Sequence, residues 1–471
     1  MSERSETAAL ASHDSADELR DADGAVRPEF VENVVAAIDA ADAKKLRELV
    51  ADLHEADTGD LIEALEPEHR VPLVKLMGAD FDFTVLTEVD DAVREEILEE
   101  LPTETVAEGV RELDSDDAVR ILEDLPKDEQ EEILEQLPAA ERVALARSLD
   151  YPEASAGRRM QDEFIAIPPA WTVGHAIDYL RETAELPERF YELYVIDSGH
   201  RLLGAIALDK LLRNKRPVPI ADLTDEDLRR VKATDDQEEV ARMFERYHLL
   251  AAPVVDENDR LVGVITFDDI VDVIEEEAEE DIKALGGVAR AEQLSDTVWT
   301  IARGRFNWLI VNLGTAFLAA SVLGLFEGEL QKMVALAVLA PIVASQGGNA
   351  ATQTMTVAVR ALATRELGPA NALRIIGREL TVGLLNGVAF AVLTGAAAYA
   401  WFRVPDLGIV IGLAMICNLV AAALSGILIP LALERLKADP AISSGVFVTT
   451  VTDVVGFFSF LGIATLWFGL K

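Results

Sequence analysis

The chain has 471 residues, 84 of them Asp or Glu against 42 Lys or Arg, giving a formal charge of −42 at pH 7. Half of its residues are hydrophobic and its mean hydropathy is +0.19, so charge and apolar character must be segregated along the chain. Residues 301–471 hold 8 acids and 11 bases, whereas the first 300 residues hold 76 acids and 31 bases; this excludes a nucleic-acid-binding protein, which needs a basic surface, and the lone Cys417 excludes a disulfide scaffold.

Residues 1–28 are polar and acidic, without the basic and apolar regions of a secretory signal, and are expected to form a disordered acidic tail. The acid excess, with arginine outnumbering lysine, looks like that of a protein from a high-salt cytoplasm, in which most surface carboxylates only hold water and counterions. Residues 29–150 read as short amphipathic helices. Stops recur at Leu101-Pro102, Leu125-Pro126 and Leu137-Pro138, because proline cannot continue a helix and biases its predecessor away from one. Val119, Ile121, Leu122 and Leu125 keep helical spacing between stops, and Asp114-Ser115-Asp116-Asp117 reads as an N-cap followed by acids. The expectation is an all-α superhelical domain.

Residues 151–275 contain an internal repeat. Val195-Ile196-Asp197 is matched by Val254-Val255-Asp256, Arg201-Leu202-Leu203-Gly204 by Arg260-Leu261-Val262-Gly263, and Asp209 by Asp268, always at an offset of 59 residues. Two helix–strand–turn–strand–helix copies make one α+β module. This resembles a pair of CBS domains, which implies dimerisation and adenine-nucleotide binding, with ATP as the candidate cofactor. The second copy carries Thr266 and Asp269 where such domains hold a ribose; the first has Ala207 and Lys210 there. The structural alternative is that Thr266 and Asp269 cap the next helix. An acidic connecting helix is expected to follow, within 276–303. Apolar positions 270, 271, 273, 274 and 278 mark one face of the run leading into it, and Gly286-Gly287 ends it. Its like charges repel and call for cations or a basic partner.

Residues 304–471 are read as an all-α transmembrane domain of five spans, 306–326, 331–359, 376–402, 407–433 and 446–469. The second is long enough that it should tilt or break near its glycines. Arg303 and Arg305, then Arg360, Arg365, Arg374 and Arg378, then Arg435 and Lys437 fall in alternate connections, so the positive-inside rule puts these and the acidic region in the cytoplasm and the C-terminus outside. Asp453 is the one ionisable residue deep in a span, and it should face water, an ion or a partner. Pro341, Gly347, Gly348, Asn349 and Gln353 in span two can free backbone carbonyls, and Asn386 and Asn418 add amide oxygens; close packing and interhelical hydrogen bonds are the alternative use of these residues. Asp453 lies about 10 Å from the cytoplasmic face, Asn349 and Asn386 about 15 Å, at 1.5 Å per residue. Such a ring, without thiols or imidazoles, suits a hard cation.

These features together resemble the MgtE family of magnesium channels over nearly the whole chain after residue 29. The motifs that carry it are Gln346-Gly347-Gly348-Asn349…Gln353, Asp439-Pro440-Ala441 and Thr452-Asp453-Val454-Val455-Gly456. The resemblance implies a homodimer in the cell membrane, span five lining a central pore, and Asp453 as its Mg²⁺-binding carboxylate, with Thr452, Asn349, Gly347, Gly348, Asn386 and Asn418 around it. It also implies that cytosolic Mg²⁺ closes the pore by binding sensing carboxylates, which fall here on Asp116, Asp117, Glu238, Asp269, Asp272, Glu277, Glu280 and Asp281. The sequence departs from the family at His248 and Thr84, where acids can stand. A Na⁺- or H⁺-coupled transporter of divalent cations, with Asp453 as the coupling site, is the alternative, and a non-transporting sensor a third reading. No hydrolase, kinase or nucleophile constellation appears, nor a phosphate-binding GxxxxGK[ST], so no enzyme is expected.

Overall fold

Proline punctuation sets the helices of the N-terminal region, in a computed structural model that describes residues 19–21, 24–183, 186, 187, 189–289, 292, 297–368 and 370–470, with only the backbone at 442 and 443. These are α1 (Pro28–Asp39), α2 (Ala43–Val50), α3 (Glu55–Ala64), α4 (Pro67–Met77), α5 (Asp91–Glu100), α6 (Thr103–Glu112), α7 (Ser115–Glu123), α8 (Lys127–Gln136) and α9 (Ala139–Leu149). Leu101 and Leu137, each before a proline, leave the helix in extended conformation, as the stops require. Leu46, Leu61, Leu73, Leu86, Ile97 and Ile121 belong to one continuous core. Arg94 is buried inside it, donating to Asp124 at 2.6 Å, to Asp91 at 2.7 Å and to the Leu86 and Val89 carbonyls. A buried guanidinium is tolerable only when so fully bonded.

The expected tail needs a correction. Residues 1–18 lie outside the described residues, but Leu19 is fully buried in the helical core and Arg20 reaches Asp57 at 2.6 Å. An isolated bridge pairs Arg20 with Val26. One apolar anchor and one ion pair therefore seat this short segment, although its composition is that of a disordered one.

The repeat folds as its offset demands. After α10 (Ala156–Arg159), the first copy has β1 (Ala166–Ile167), α11 (Val173–Glu182), β2 (Glu192–Ile196), β3 (Leu202–Ala207) and α12 (Leu208–Arg213). The second has β4 (Val231–Lys232), α13 (Gln237–Tyr247), β5 (Ala251–Val255), β6 (Leu261–Thr266) and α14 (Phe267–Leu285). Each sheet pairs its first strand parallel to its second and its second antiparallel to its third. Register shifts fall at Val195/Ile196 and at Val254/Val255, again at the repeat offset. The copies join through equivalent residues: Leu202 donates to the Asp259 carbonyl and Leu261 to the His200 carbonyl, both at 3.0 Å. His200 and Asp259 share a left-handed φ, 63° and 58°. The module thus has a local two-fold relation.

The chain divides into two compact units, Met1–Glu276 and Glu277–Lys471. No break separates the repeat from the connecting helix, as the expected boundary at 275/276 implied: α14 is one helix from Phe267 to Leu285, and Gly287, at φ 71°, ends it. Of its apolar positions, Ile270 and Val273 are buried while Val271 and Ile274 are exposed. The second unit continues with α15 (Val298–Leu325), α16 (Glu327–Lys332), α17 (Val334–Ala363), α18 (Ala372–Phe402), α19 (Pro405–Arg435) and α20 (Pro440–Phe468). Among the described residues, five helices here are long and apolar enough to cross a membrane. α17, α19 and α20 form the interior, with Leu339, Val343, Met415, Leu419 and Phe460 in its core. α18 lies against α19, and α15 presents mostly exposed apolar surface. α17 runs unbroken through Pro341 and Gly347-Gly348, so of the two expected accommodations, tilt or break, the break is absent; tertiary packing against α19 and α20 outweighs the weak helix propensity of glycine.

Candidate functional site

Two polar junctions emerge, one in each unit. The first forms where the start of α7 meets the repeat module. Asp114 takes the extended N-cap backbone of α7. Ser115 donates through its hydroxyl to Glu163 at 2.8 Å and accepts from the Asp162 backbone N–H at 2.7 Å. This fixes Asp116 and Asp117, in the first turn, against Asp269 of α14. Asp269 accepts from the Thr266 hydroxyl at 2.7 Å and from its N–H at 3.3 Å, and it lies within hydrogen-bond reach of Asp116. Thr266 and Asp269 thus cap α14, the structural role left open by the sequence.

Crowding shows in the proton affinities. Burial, and then the Asp269 charge, hold Asp116 well above its ordinary range and push Asp117 up to about 7. Burial raises Asp269 to about 6 against the pull of its Thr266 bonds, and raises Glu163 to about 7 with help from Asp162. Glu88 is raised by burial and by Asp272. Desolvation and like charge both oppose ionisation. Next to this group, charges are balanced: Arg120 reaches Asp272 at 3.2 Å and Glu276 at 3.4 Å, and Arg159 reaches Glu276 at 2.6 Å.

The structure therefore brings Asp116, Asp117 and Asp269 together and ties Asp272 to Arg120. Glu238 sits on α13 and accepts from Arg242 at 2.6 Å. Glu277, Glu280 and Asp281 belong to the second unit. They share the α14 face that carries Ala284, which is buried with Ala351, Met355, Ala422 and Val448. His248 closes α13 in left-handed conformation, and the Thr84 carbonyl accepts from the Thr87 hydroxyl. Among the described residues, no three of His, Cys, Asp and Glu already surround one point as metal ligands. The donor chemistry of the Asp116 group, all carboxylate oxygen, nevertheless fits a hard dication. Sequence reasoning missed Ser115, Arg120, Arg159 and Glu163, which carry no motif of their own.

The second junction lies inside the helix bundle. Asn418 of α19 is completely buried and donates to the Val343 carbonyl of α17 at 2.8 Å, while its Oδ1 has no hydrogen-bond partner among the described residues. A Cβ added to Gly347 would stand 2.1 Å from Asn418 Nδ2, and one added to Gly456 of α20 would stand 2.8 Å from it. The three helices thus close on one amide. One turn further, Gly348 faces Thr452, which is buried, and Asp453 follows, half-buried. The hydroxyls of α20 bond back to their own helix: Thr449 to the Gly445 carbonyl, Thr450 to Val446, Thr452 to Thr449, Ser459 to Gly456 and Thr465 to Leu461. Asn349 and Gln353 are exposed on α17. Asn386 is exposed on α18, a helix that packs along α19, so the structure does not gather it with Asn418, Gly347 and Thr452. Equal depth, the basis of its grouping, does not fix the direction in which a helix faces.

Comparison with known proteins follows the same division. A family model described as divalent cation transporter matches residues 340–463, one described as MgtE intracellular N domain matches 53–154, and a CBS domain model matches 220–276. The magnesium transporter MgtE of Bacillus subtilis (strain 168) is 35% identical over 317 residues, covering 67% of this chain and 70% of that one. The magnesium transporter MgtE of Enterococcus faecalis (strain ATCC 700802 / V583) is 36% identical over 319 residues, covering 68% and 70%. Among solved structures, the cytosolic domain of the Mg²⁺ channel MgtE in complex with ATP aligns at 30% identity and a TM-score of 0.48, over 52% of this chain and 99% of that one.

Proposed function

The chain belongs to the MgtE family of magnesium transporters, and from that premise we propose that it is a Mg²⁺ channel whose own acidic junction closes it when Mg²⁺ is high. The observation that carries the gating reading is the group Asp116, Asp117 and Asp269, whose carboxyls burial and mutual charge hold above their ordinary range. Free of metal, these side chains repel one another or keep protons. Holding Mg²⁺ through hard oxygen atoms, they would draw α7 and the start of α14 together. Asp272, Glu276 and Glu238 have arginine partners, so they are expected to tune this site more than to bind. Glu277, Glu280 and Asp281 extend the acidic face of α14.

For the pore, the reading is a homodimer in the cell membrane, with the acidic domains in the cytoplasm, the C-terminus outside and α20 lining the path. Two copies of Asp453 would hold the ion through its water shell, since Mg²⁺ sheds water reluctantly. Asn418, Gly347 and Gly456 position α20 against α17 and α19. Adenine nucleotide at Thr266 and Asp269 would have to release the cap of α14, so it would compete with the acidic junction for Asp269; ATP added at constant free Mg²⁺ checks this.

The test is Mg²⁺ entry into proteoliposomes at high KCl, with Mg²⁺ varied on the side of the acidic domains. Flux that follows the Mg²⁺ gradient and voltage, and stops as that Mg²⁺ rises, is the expected result. Flux that appears only with an opposing Na⁺ or H⁺ gradient would replace the channel by a coupled transporter.

A further inference from the structure

At the end of the bundle where α17 stops and α18 begins, a cavity of about 560 Å³ opens among Val357 and Ala361 of α17, Arg374, Ile375, Arg378 and Glu379 of α18, and the connecting residues. This lies in the usual range for ligand pockets, roughly 300–1,000 Å³. Its walls are of two kinds. Arg374 and Arg378 stand near the start of α18, whose N-terminus adds a partial positive charge. The apolar lining, Val357, Ala358, Ala361, Leu367, Ile375 and Ile427, extends along α17 toward Thr354, nine residues before the end of that helix, or about 14 Å along it. Val357, 57% exposed, leaves apolar lining of the cavity accessible on a helix long and apolar enough to cross a membrane.

The charges of the cavity are unequally committed. Arg378 pairs with its neighbour Glu379 at 3.1 Å. Asn371 is occupied with the loop, donating to the Glu366 carbonyl at 2.6 Å and accepting from the Gly368 N–H at 2.9 Å. The Glu366 side chain is exposed, so solvent screens it. Arg374 lines the cavity and makes no ion pair or side-chain hydrogen bond with any described residue. The positive-inside rule accounts for the side on which Arg374 lies, but not for its place in a cavity with an apolar floor. A guanidinium without a partner among the described residues, in a cavity that also has accessible apolar lining, matches a phosphate ester joined to a hydrocarbon chain.

We propose that this cavity binds the headgroup of an anionic phospholipid, with Arg374 on the phosphate and an acyl chain leaving past Val357. The site is separate from the acidic junction. To test it, the full chain is reconstituted in mixed phosphatidylcholine and phosphatidylglycerol, re-extracted in mild detergent, and its retained lipid measured by mass spectrometry. The expected result is several-fold enrichment of phosphatidylglycerol over the bulk mixture, lost in Arg374→Gln and kept in Arg374→Lys. Arg360→Gln, an equal charge change on α17 outside the cavity, should leave it intact. Equal loss in the two glutamine variants would reduce the effect to general charge attraction and overturn the site. So would unchanged enrichment in Arg374→Gln, provided that its elution and helical content match the parent. Displacement of the lipid by soluble glycerol phosphate as effectively as by short-chain phosphatidylglycerol would assign the cavity to a free phosphate ester and overturn the lipid reading.

Discussion

The two junctions use oxygen in opposite ways. Where α7 meets the repeat module, burial first and then neighbouring like charge raise the proton affinities of crowded carboxyls. Inside the bundle, one neutral amide locks three helices and the hydroxyls satisfy their own backbone. On the proposed reading, the first region would respond to a cation and the second would keep its shape while cations pass. Crowded carboxyls and close packing around a single amide are two different uses of polar groups.

The comparison breaks most completely at Asp453. Replacing it with Asn removes the one acid deep in a span by sequence and should lower Mg²⁺ flux by about tenfold or more, the scale of losing one charge-assisted hydrogen bond. Proteoliposome flux measures this, and unchanged flux and selectivity would remove α20 from the pore. The frame is tested next by Gly347→Ala. Its methyl would collide with Asn418, at an overpacking cost of about 1–3 kcal/mol. A lower melting temperature in detergent, with reduced flux, is expected, and Asn418→Ala combined with it should recover part of the stability.

The responsive junction should behave in the reverse sense, gaining stability when a polar group is neutralised. In chelator, Asp117→Asn should strengthen hydrogen-exchange protection of α7 by roughly 1 kcal/mol, below the full value of its raised proton affinity because solvent screens part of it. In Mg²⁺ the same variant should gain less protection than the parent. Acidity gives a finer probe. Asp117 titrates near 7 folded against an ordinary 3.8, so its folded state binds more protons. In chelator the junction should be most protected below about pH 4 and lose protection as pH rises through 7. Saturating Mg²⁺ should flatten that slope. The smallest expected effect is that of Arg120→Gln, which frees Asp272 and Glu276 from one partner and should cost α7 about 0.5 kcal/mol of protection.

Much of the architecture was legible because it rests on local or periodic signals. Prolines after Leu101 and Leu137 stop helices by steric clash, and a repeat offset of 59 reappears as matching register shifts and matching left-handed turns. The acids at 116, 117 and 269 were named from a family resemblance; residues so far apart in the chain carry no pattern that states they meet. Ser115 and Glu163, which make them meet, were invisible for the same reason. For Asn418 the sequence left open an ion-path oxygen or an interhelical hydrogen bond; the structure shows the hydrogen bond, beside two glycines, and the choice depends on which way a helix faces. Leu19 and Arg20 were hidden by the polar residues around them, since composition averages over a segment and one buried side chain escapes the average.

The inward-bonded hydroxyls of α20 have a consequence for ion sign. Each directs its hydrogen to a carbonyl of its own helix, so what it turns away from the helix is a lone pair. Water bound to a cation points its hydrogens outward and can dock on such acceptors. Water around an anion points oxygen outward and finds no donor in these hydroxyls. On the proposed pore path, the direction of a few hydrogens would favour cations over anions before any carboxylate contributes.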